Sequence, residues 1–314
     1  MTLDTALFEA VDTCDVCGAS DMSPVHELLF ELSTYATQDP GLAEYSGQTL
    51  ALRRCAACGF SQPSARPSLP RFFDRLYDQR WSDNWIRNEF EAEYKDAIFR
   101  DILRSLRGRL DPSRRRLLDV GAHAGRFIAL ARAQGWRAEG LELNPQTAAY
   151  AAARTGASVR QLNVHDVDST TAGFDAITLT DVLEHIPNPI QVLTRVSALL
   201  APGGWAAIKV PSGPGQLRKE QWRGRLVRGY RPTLADNLVH VNHFSPRSLR
   251  LALERAGFSD IEIAPGAPEL PAGAGWRGVG ARWTRRLLHG AARALPGGVH
   301  LPVTLNLQAY ARRS

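Results

Sequence analysis

The stretch Leu117-Leu118-Asp119-Val120-Gly121-Ala122-His123-Ala124-Gly125-Arg126-Phe127 restricts the fold of this 314-residue chain more than any other. Leu117 to Val120 read as a short, buried, parallel-type strand. Gly121 and Gly125 permit a tight turn, and Phe127, Leu130 and Ala131 recur behind it at helical spacing. Strand, glycine turn and helix open a nucleotide-binding unit, because glycine lets a ligand approach the backbone and a helix N-terminus presents free N–H groups. A glycine turn alone is weak evidence. Here an acid follows: Glu142, 21 residues after Gly121, closes the next strand-like run, Trp136 to Leu141. A carboxylate about that far on is placed to accept hydrogen bonds from both ribose hydroxyls.

From Arg116 onward strand-like and helix-like segments alternate. The strand-like runs are 117–120, 137–142, 158–162, 174–180, 205–210, 260–264 and a last one at Leu305 to Ala311. Between them lie a helix from Ala124 to Gly135 and one capped by Asn144 with Pro145 in its first turn and Gly156 as its stop. Asn188-Pro189 start another, running to Leu200, and Ser245-Pro246 open one ended by Gly257. The expected fold is α/β, a doubly wound, mostly parallel seven-stranded Rossmann-like sheet. Ligands of such sheets bind at the carboxyl ends of the strands, which gathers Gly121 to Gly125, Glu142, Asn163-Val164 and Thr180-Asp181 at one rim.

All four cysteines fall in the first 58 residues, as Cys14-x-x-Cys17 and Cys55-x-x-Cys58, each pair followed by glycine. Four thiolates suit tetrahedral zinc. Disulfides and a redox pair are the alternatives; a cytosolic setting disfavours the first, and a redox motif has no use for a second copy. The expectation is a small zinc ribbon at residues 1–66, structural because a closed four-sulfur site leaves no position for catalysis. An insertion from Glu27 to Gln48 is expected to project from it. The proline-rich segment 60–70 is read as the linker to a second domain, 67–314, with leading helices at 71–112 and a lid-like excursion at 211–244.

Asp119-x-Gly121-x-x-x-Gly125, Glu142 and Asp181-Val182-Leu183-Glu184-His185-Ile186-Pro187-Asn188-Pro189 together resemble class I S-adenosylmethionine-dependent methyltransferases over roughly residues 71 to 314. The resemblance implies a set of cofactor contacts. Asp119 belongs to the acidic first motif, backbone at Gly121 and Ala122 before Gly125 holds the methionine moiety, and Glu142 holds the ribose. Leu143 lies beside the adenine, Asn163 and Val164 at its edge with Asp166 as a rival, and Thr180 at the rim. It also makes the final strand an antiparallel edge and places Tyr77 and Trp81 of the leading helices either against the ligand or in the packing of those helices on the sheet. One departure is His123, where the family's usual glycine is replaced and the methionine end would be crowded. His185 is the candidate general base, since imidazole titrates near neutrality; Asp181 and Glu184 are placed to orient it or the methionine amine. The same pattern recurs in relatives with other acceptors, so a structural role for His185 stays open. In the excursion, which also holds Trp222 and Tyr230, His240 and His243 stand three apart. They are open to metal ligation, a second base or an ordinary structural role, with no acid cluster near them in sequence; His243 is taken as an acceptor-side or structural residue.

The net charge of +6 is spread over arginines, with lysine only at 95, 209 and 219. Arg218, Arg223, Arg225, Arg228 and Arg231 are placed either to grip a phosphorylated or carboxylated acceptor or to sit solvated. No run of about 18 apolar residues marks a membrane span, and Met1 to Ala10 carry no basic n-region, so a cytoplasmic protein is expected. The leading expectation is O-methylation of a hydroxyl on a small molecule, a sugar or secondary metabolite. C-methylation of a nucleotide-linked sugar is the alternative, since ribbon-bearing relatives of this family resemble glycan and natural-product tailoring enzymes. Nucleic acid is disfavoured: no Asp/Asn-Pro-Pro-Tyr follows 180, and no interleaved basic-aromatic module stands out. Loss of catalysis is a third reading, hinted at only by His123. Residues 266–300 are open to completing the pocket or an oligomer contact.

Overall fold

The structure, a computed structural model, describes residues 6–228, 240–270, 276–301 and 304–314. Tyr230 and Arg231 of the excursion lie outside the described residues.

The N-terminal part is built from β1 (Phe8–Ala10), β2 (Met22–Leu29), α1 (Ser33–Ala36), β3 (Thr49–Cys55), β4 (Ser61–Pro63) and β5 (Ala65–Pro67). β2, β3 and β4 form an antiparallel sheet, and β1 pairs with β5. Two expectations change here. The insertion after Glu27 does not project: Leu28, Phe30, Leu32, Leu42 and Tyr45 bury themselves with Phe8, Phe72 and Leu76 in a core of their own. Segment 60–70 is not open linker, because it holds β4 and β5.

The leading helical stretch divides into α2 (Phe72–Tyr77), α3 (Asp83–Glu91) and α4 (Asp96–Arg109). Ser82 restarts the chain as an N-cap, its hydroxyl accepting from Trp85 N, and Ala92 is extended, which ends α3. β6 (Arg116–Val120), α5 (Arg126–Ala133), β7 (Arg137–Leu141), α6 (Pro145–Thr155), β8 (Val159–Arg160), β9 (Phe174–Thr180), α7 (Pro189–Leu199) and β10 (Leu200–Pro211) follow. α8 (Gly213–Leu226), α9 (Pro246–Arg255), β11 (Phe258–Pro265), α10 (Trp276–Ala294) and β12 (Asn306–Arg313) complete the order.

The seven-stranded sheet runs β11-β12-β10-β9-β6-β7-β8. β10, β9, β6, β7 and β8 are mutually parallel, whereas β12 is antiparallel to both its neighbours. The last strand is therefore antiparallel as expected, but it is inserted between β10 and β11 and is not an edge. Alternating residues feed the two faces, as strand geometry requires. Leu118, Val120, Ile177, Leu179, Ile208 and Val210 pack with Val192, Leu193, Leu249 and Leu253 of α7 and α9. Leu117, Ala176, Ala207 and Tyr310 pack with Ile98, Ile102, Leu106 and Phe127 of α4 and α5.

The ribbon joins the first of these cores: Cys14, Cys55, Cys58 and Phe60 belong to the same buried cluster as Phe244 and Leu249. Phe60 and Phe244 rings lie 5.0 Å apart, and Ser245 Oγ donates to Cys58 O at 3.0 Å.

Candidate active site

β6 delivers Asp119 to the rim buried, with Thr178 Oγ1 of the neighbouring β9 donating to its carboxylate at 2.6 Å. Burial pushes its acid up to about 7, partly offset by that hydroxyl. Beyond Val120 the chain turns through left-handed backbone at Gly121 (φ 74°), His123 (φ 49°) and Gly125 (φ 85°). Position 123 thus adopts the conformation that explains a usual glycine there. Gly121 and His123 are exposed between buried Ala122 and Ala124, so the turn offers backbone to a ligand. Gly125 serves another purpose: a Cβ there would stand 3.0 Å from Ala151 and Thr155, so its bareness lets α5 start against α6.

Glu142 follows β7 and spans the turn. Its carboxylate accepts from His123 N at 2.8 Å and from Asn144 N at 2.9 Å; burial pushes its acid up, opposed by these N–H groups. Asn144 caps α6 through Thr147 N and donates to Tyr77 O at 2.9 Å and Gln79 O at 2.6 Å, fixing the end of α2 beside the acid. The leading helices also cover the turn with rings. Trp81 stacks on Trp85 at 4.5 Å, and the His123 ring meets Trp85 edge-on at 5.2 Å. Leu143 is half-buried. Asn163 accepts from His165 N, Val164 is packed in the core, and Asp166 is exposed. Thr180 at the tip of β9 has a buried hydroxyl with no hydrogen-bond partner among the described residues, an orphan that suits a ligand at this rim.

Asp181, in left-handed backbone (φ 57°), is held by Lys95 Nζ at 2.9 Å and by Lys209 Nζ. Burial opposes its charge, but Lys209 and Lys95 overcome this and hold the acid well below the usual carboxylate range. A carboxylate so held is a poor proton acceptor and a strong local anchor. Neither lysine was singled out in the sequence, yet in a chain with three lysines against 38 basic residues, two meeting at one aspartate is the signal that was there to find.

Glu184 and His185 occupy the turn after Asp181, and the returning segment 240–244 closes on it. Val241 N and Asn242 N both donate to Glu184 O at 2.9 Å, and Asn242 Nδ2 donates to Leu183 O and Ile186 O at 2.8 and 2.7 Å. The end of the expected lid is thus part of the buried framework. It brings the His240 ring to 4.7 Å from that of His185, and each imidazole Nε2 lies 4.0 Å from Glu184 Oε1. The acid that the sequence lacked near His240 is Glu184, distant along the chain. Its acid is pushed up to about 8 by burial and by Asp181, with Lys209 opposing. The Tyr77 ring stands 5.6 Å from that of His185, so one residue links the Glu142 side of the rim to this cluster.

His243 is set back from the others. Its Nδ1 contacts Gln216 Oε1 at 3.1 Å, and its backbone bridges to Ser61 of the ribbon sheet. Burial pushes its imidazole down to about 4. Arg218, Arg223, Arg225 and Arg228 are exposed on and just after α8.

In the ribbon, Gly18 N and Gly59 N close matching turns onto Cys14 O and Cys55 O at 2.8 and 2.9 Å. The four sulfurs lie within 4.8 Å of one another, with Cys14–Cys58 at 3.6 Å and Cys17–Cys55 at 3.4 Å. Sulfurs around a tetrahedral zinc at about 2.3 Å stand about 3.8 Å apart, so the set fits that ion, and all four are free thiols rather than disulfides.

Comparison with known proteins agrees with this architecture. A methyltransferase-domain family matches residues 90–263, more than half of the chain. The ubiquinone biosynthesis O-methyltransferase of Xanthomonas axonopodis pv. citri is 33% identical over 102 residues, covering 31% of this chain and 43% of that protein. The chain thus spans less than half the length of the curated relatives it matches. Among solved structures, the Haemonchus contortus phosphoethanolamine N-methyltransferase 2 complex with S-adenosylmethionine aligns with a TM-score of 0.51 and 16% identity, over 80% of this chain and 62% of that one. A Haloferax volcanii methyltransferase solved with the Trm112 methyltransferase activator aligns at TM-score 0.51 and 16% identity, over 74% and 96%. The last two share the fold. The chain belongs to the methyltransferase-domain family and has the fold of class I S-adenosylmethionine-dependent methyltransferases.

Proposed function

We propose that the enzyme transfers the sulfonium methyl of S-adenosylmethionine to a hydroxyl of a small molecule, forming an ether. In this reading Glu142 receives the ribose hydroxyls, backbone at Gly121 and Ala122 faces the methionine moiety, and Leu143, Asn163 and Val164 lie along the adenine. Asp119, Gly125 and Thr180 shape the floor. The acceptor sits at Glu184, His185 and His240, in line with the methyl and within about 3–3.5 Å of it. Asp181, clamped by two lysines, organises charge at the floor and does not take the proton. The observation that carries the reading is Tyr77: its carbonyl is tied through Asn144 to the Glu142 side, and its ring faces His185. Relatives named O-methyltransferases favour oxygen as the acceptor atom. The arginines of α8 favour an anionic group on it. We further propose that zinc at Cys14, Cys17, Cys55 and Cys58 is structural, with the ribbon at residues 1–66 and the catalytic unit at 67–314. The test is an acceptor panel read by mass spectrometry for a product heavier by one methylene. Hydroxylated acceptors left unmodified while amines are methylated would overturn the oxygen assignment.

A further inference from the structure

We propose that Glu184, His185 and His240 form a divalent transition-metal site beside the methyl donor. Their ligand atoms all lie within 4.8 Å of one another, and the three residues are buried. Glu184 is 1% exposed, and both its carboxylate oxygens lack a hydrogen-bond partner among the described residues. A buried carboxylate left in that state is costly, and a cation held jointly with two imidazoles accounts for it. Each Nε2 is 4.0 Å from Glu184 Oε1, against about 3.3 Å between ligands of a tetrahedral ion at about 2.0–2.1 Å, so a closing of under about 1 Å completes the site.

Asn242 pins the turn that carries Glu184 and His185. The Gln216 carboxamide bridges His240 Nδ1 at 2.8 Å and His243 Nδ1 at 3.1 Å. In the structure the carboxamide nitrogen faces His240 and its oxygen faces His243; turning the amide over lets its oxygen accept from His240 Nδ1–H and leaves the Nε2 lone pair directed at the cluster, the outer-shell arrangement that metal-ligating histidines use. Two imidazoles and a carboxylate suit an ion of the Mn²⁺ to Zn²⁺ series better than Mg²⁺, which prefers oxygen and water. Three protein ligands leave positions open, as in catalytic sites.

The site stands on its own residues; its use rests on the methyl-transfer reading. There the acceptor hydroxyl takes an open position, where the ion makes it more acidic, and its proton passes to water. The oxygen's electron pair forms the bond to the methyl carbon, and the carbon–sulfur pair returns to sulfur, leaving a neutral thioether.

The test titrates Co²⁺ into the full-length protein with its ribbon zinc-loaded. One ion per chain should bind without thiolate charge-transfer absorption, and binding should weaken at least about tenfold in Glu184→Gln and in His240→Gln. Cobalt taken up only with thiolate absorption, or bound equally by folded variants, overturns the site; should both variants fail to fold, the wild-type spectrum alone decides. Calorimetry with S-adenosylmethionine on the same zinc-loaded sample, before cobalt is added, keeps the two ideas apart. Cofactor binding without cobalt binding sinks the metal site alone, and cobalt binding without cofactor binding sinks the methyl-donor assignment alone.

Discussion

Exchanging Glu142 for glutamine keeps its size and removes one acceptor. The carboxylate now takes His123 N on one oxygen and Asn144 N on the other, at 2.8 and 2.9 Å, and so ties the glycine turn to the start of α6. A carboxamide offers a single oxygen, and whichever N–H faces the new NH₂ loses its partner. A hydrogen bond to a charged group contributes about 1.5–3 kcal/mol. Glu142 is only half-buried, so water replaces part of the loss in the free enzyme. In the complex the ribose hydroxyls lose the same acceptor while the turn beneath them is loosened. The expected weakening of S-adenosylmethionine binding is about 10- to 100-fold, or about 1.4–2.8 kcal/mol. Calorimetry measures it directly, with Glu142→Asp as a variant that keeps the charge but is too short to span both N–H groups. Because burial raises the Glu142 acid, wild-type affinity should fall as pH drops through its pKa, while the glutamine variant stays flat there. An affinity within twofold of wild type in both variants would remove Glu142 from the ribose site and, with it, the assignment of this rim.

Lys209→Met should destabilise the fold by about 3 kcal/mol, the low end for breaking a buried pair because Lys95 still faces Asp181; an unchanged urea midpoint would refute the clamp. Asp119, with its folded pKa raised to about 7, binds a proton in the native state that the unfolded chain has released. Its contribution is therefore full below the unfolded value of 3.8 and is lost as pH rises through the folded one. Relative to Asp119→Asn, the wild type should lose roughly 2–3 kcal/mol of unfolding free energy between about pH 5 and pH 8, and parallel pH profiles would contradict this. Cys55→Ser should release zinc and lower the melting temperature of the whole chain, since its thiol shares a core with the sheet-flanking helices; an unshifted main transition would mean the ribbon folds apart.

What was legible in the sequence was what local chain geometry determines. A short strand of three apolar residues around Asp119, a glycine turn and the start of a helix lie within a dozen residues, so β6, the turn and α5 can be read directly, and Glu142 lies one unit further on. The paired Cys-x-x-Cys-Gly turns are equally local. The cluster of Glu184, His185 and His240 is not. Glu184 and His185 meet His240 across 55 residues from His185, and only the long-range hydrogen bonds of Asn242 make them neighbours. Lys95 reaches Asp181 from 86 residues away. The place of β12 is set by pairing with β10 and β11 on both sides, which no periodicity within the strand encodes. The insertion after Glu27 looked like a projection because its apolar residues are partnered by Phe72 and Leu76, beyond the ribbon.

That same non-local packing gives the ribbon a mechanical part in the site. His243 N donates to Ser61 O at 2.9 Å and Ser61 N to His243 O at 3.1 Å; Phe60 packs on Phe244, and Ser245 Oγ reaches Cys58 O. Residues 243–245 are therefore held by Cys58, Phe60 and Ser61, at and just after the second cysteine pair. Three residues earlier the same segment carries His240, whose position relative to Glu184 is fixed by the backbone bonds of Val241 and Asn242. The segment that carries the four sulfurs anchors the strip on which the His240 imidazole sits. A loosened ribbon should thus be felt first at His240, and only weakly at the glycine turn, whose contacts run through α2, α3 and α6 instead.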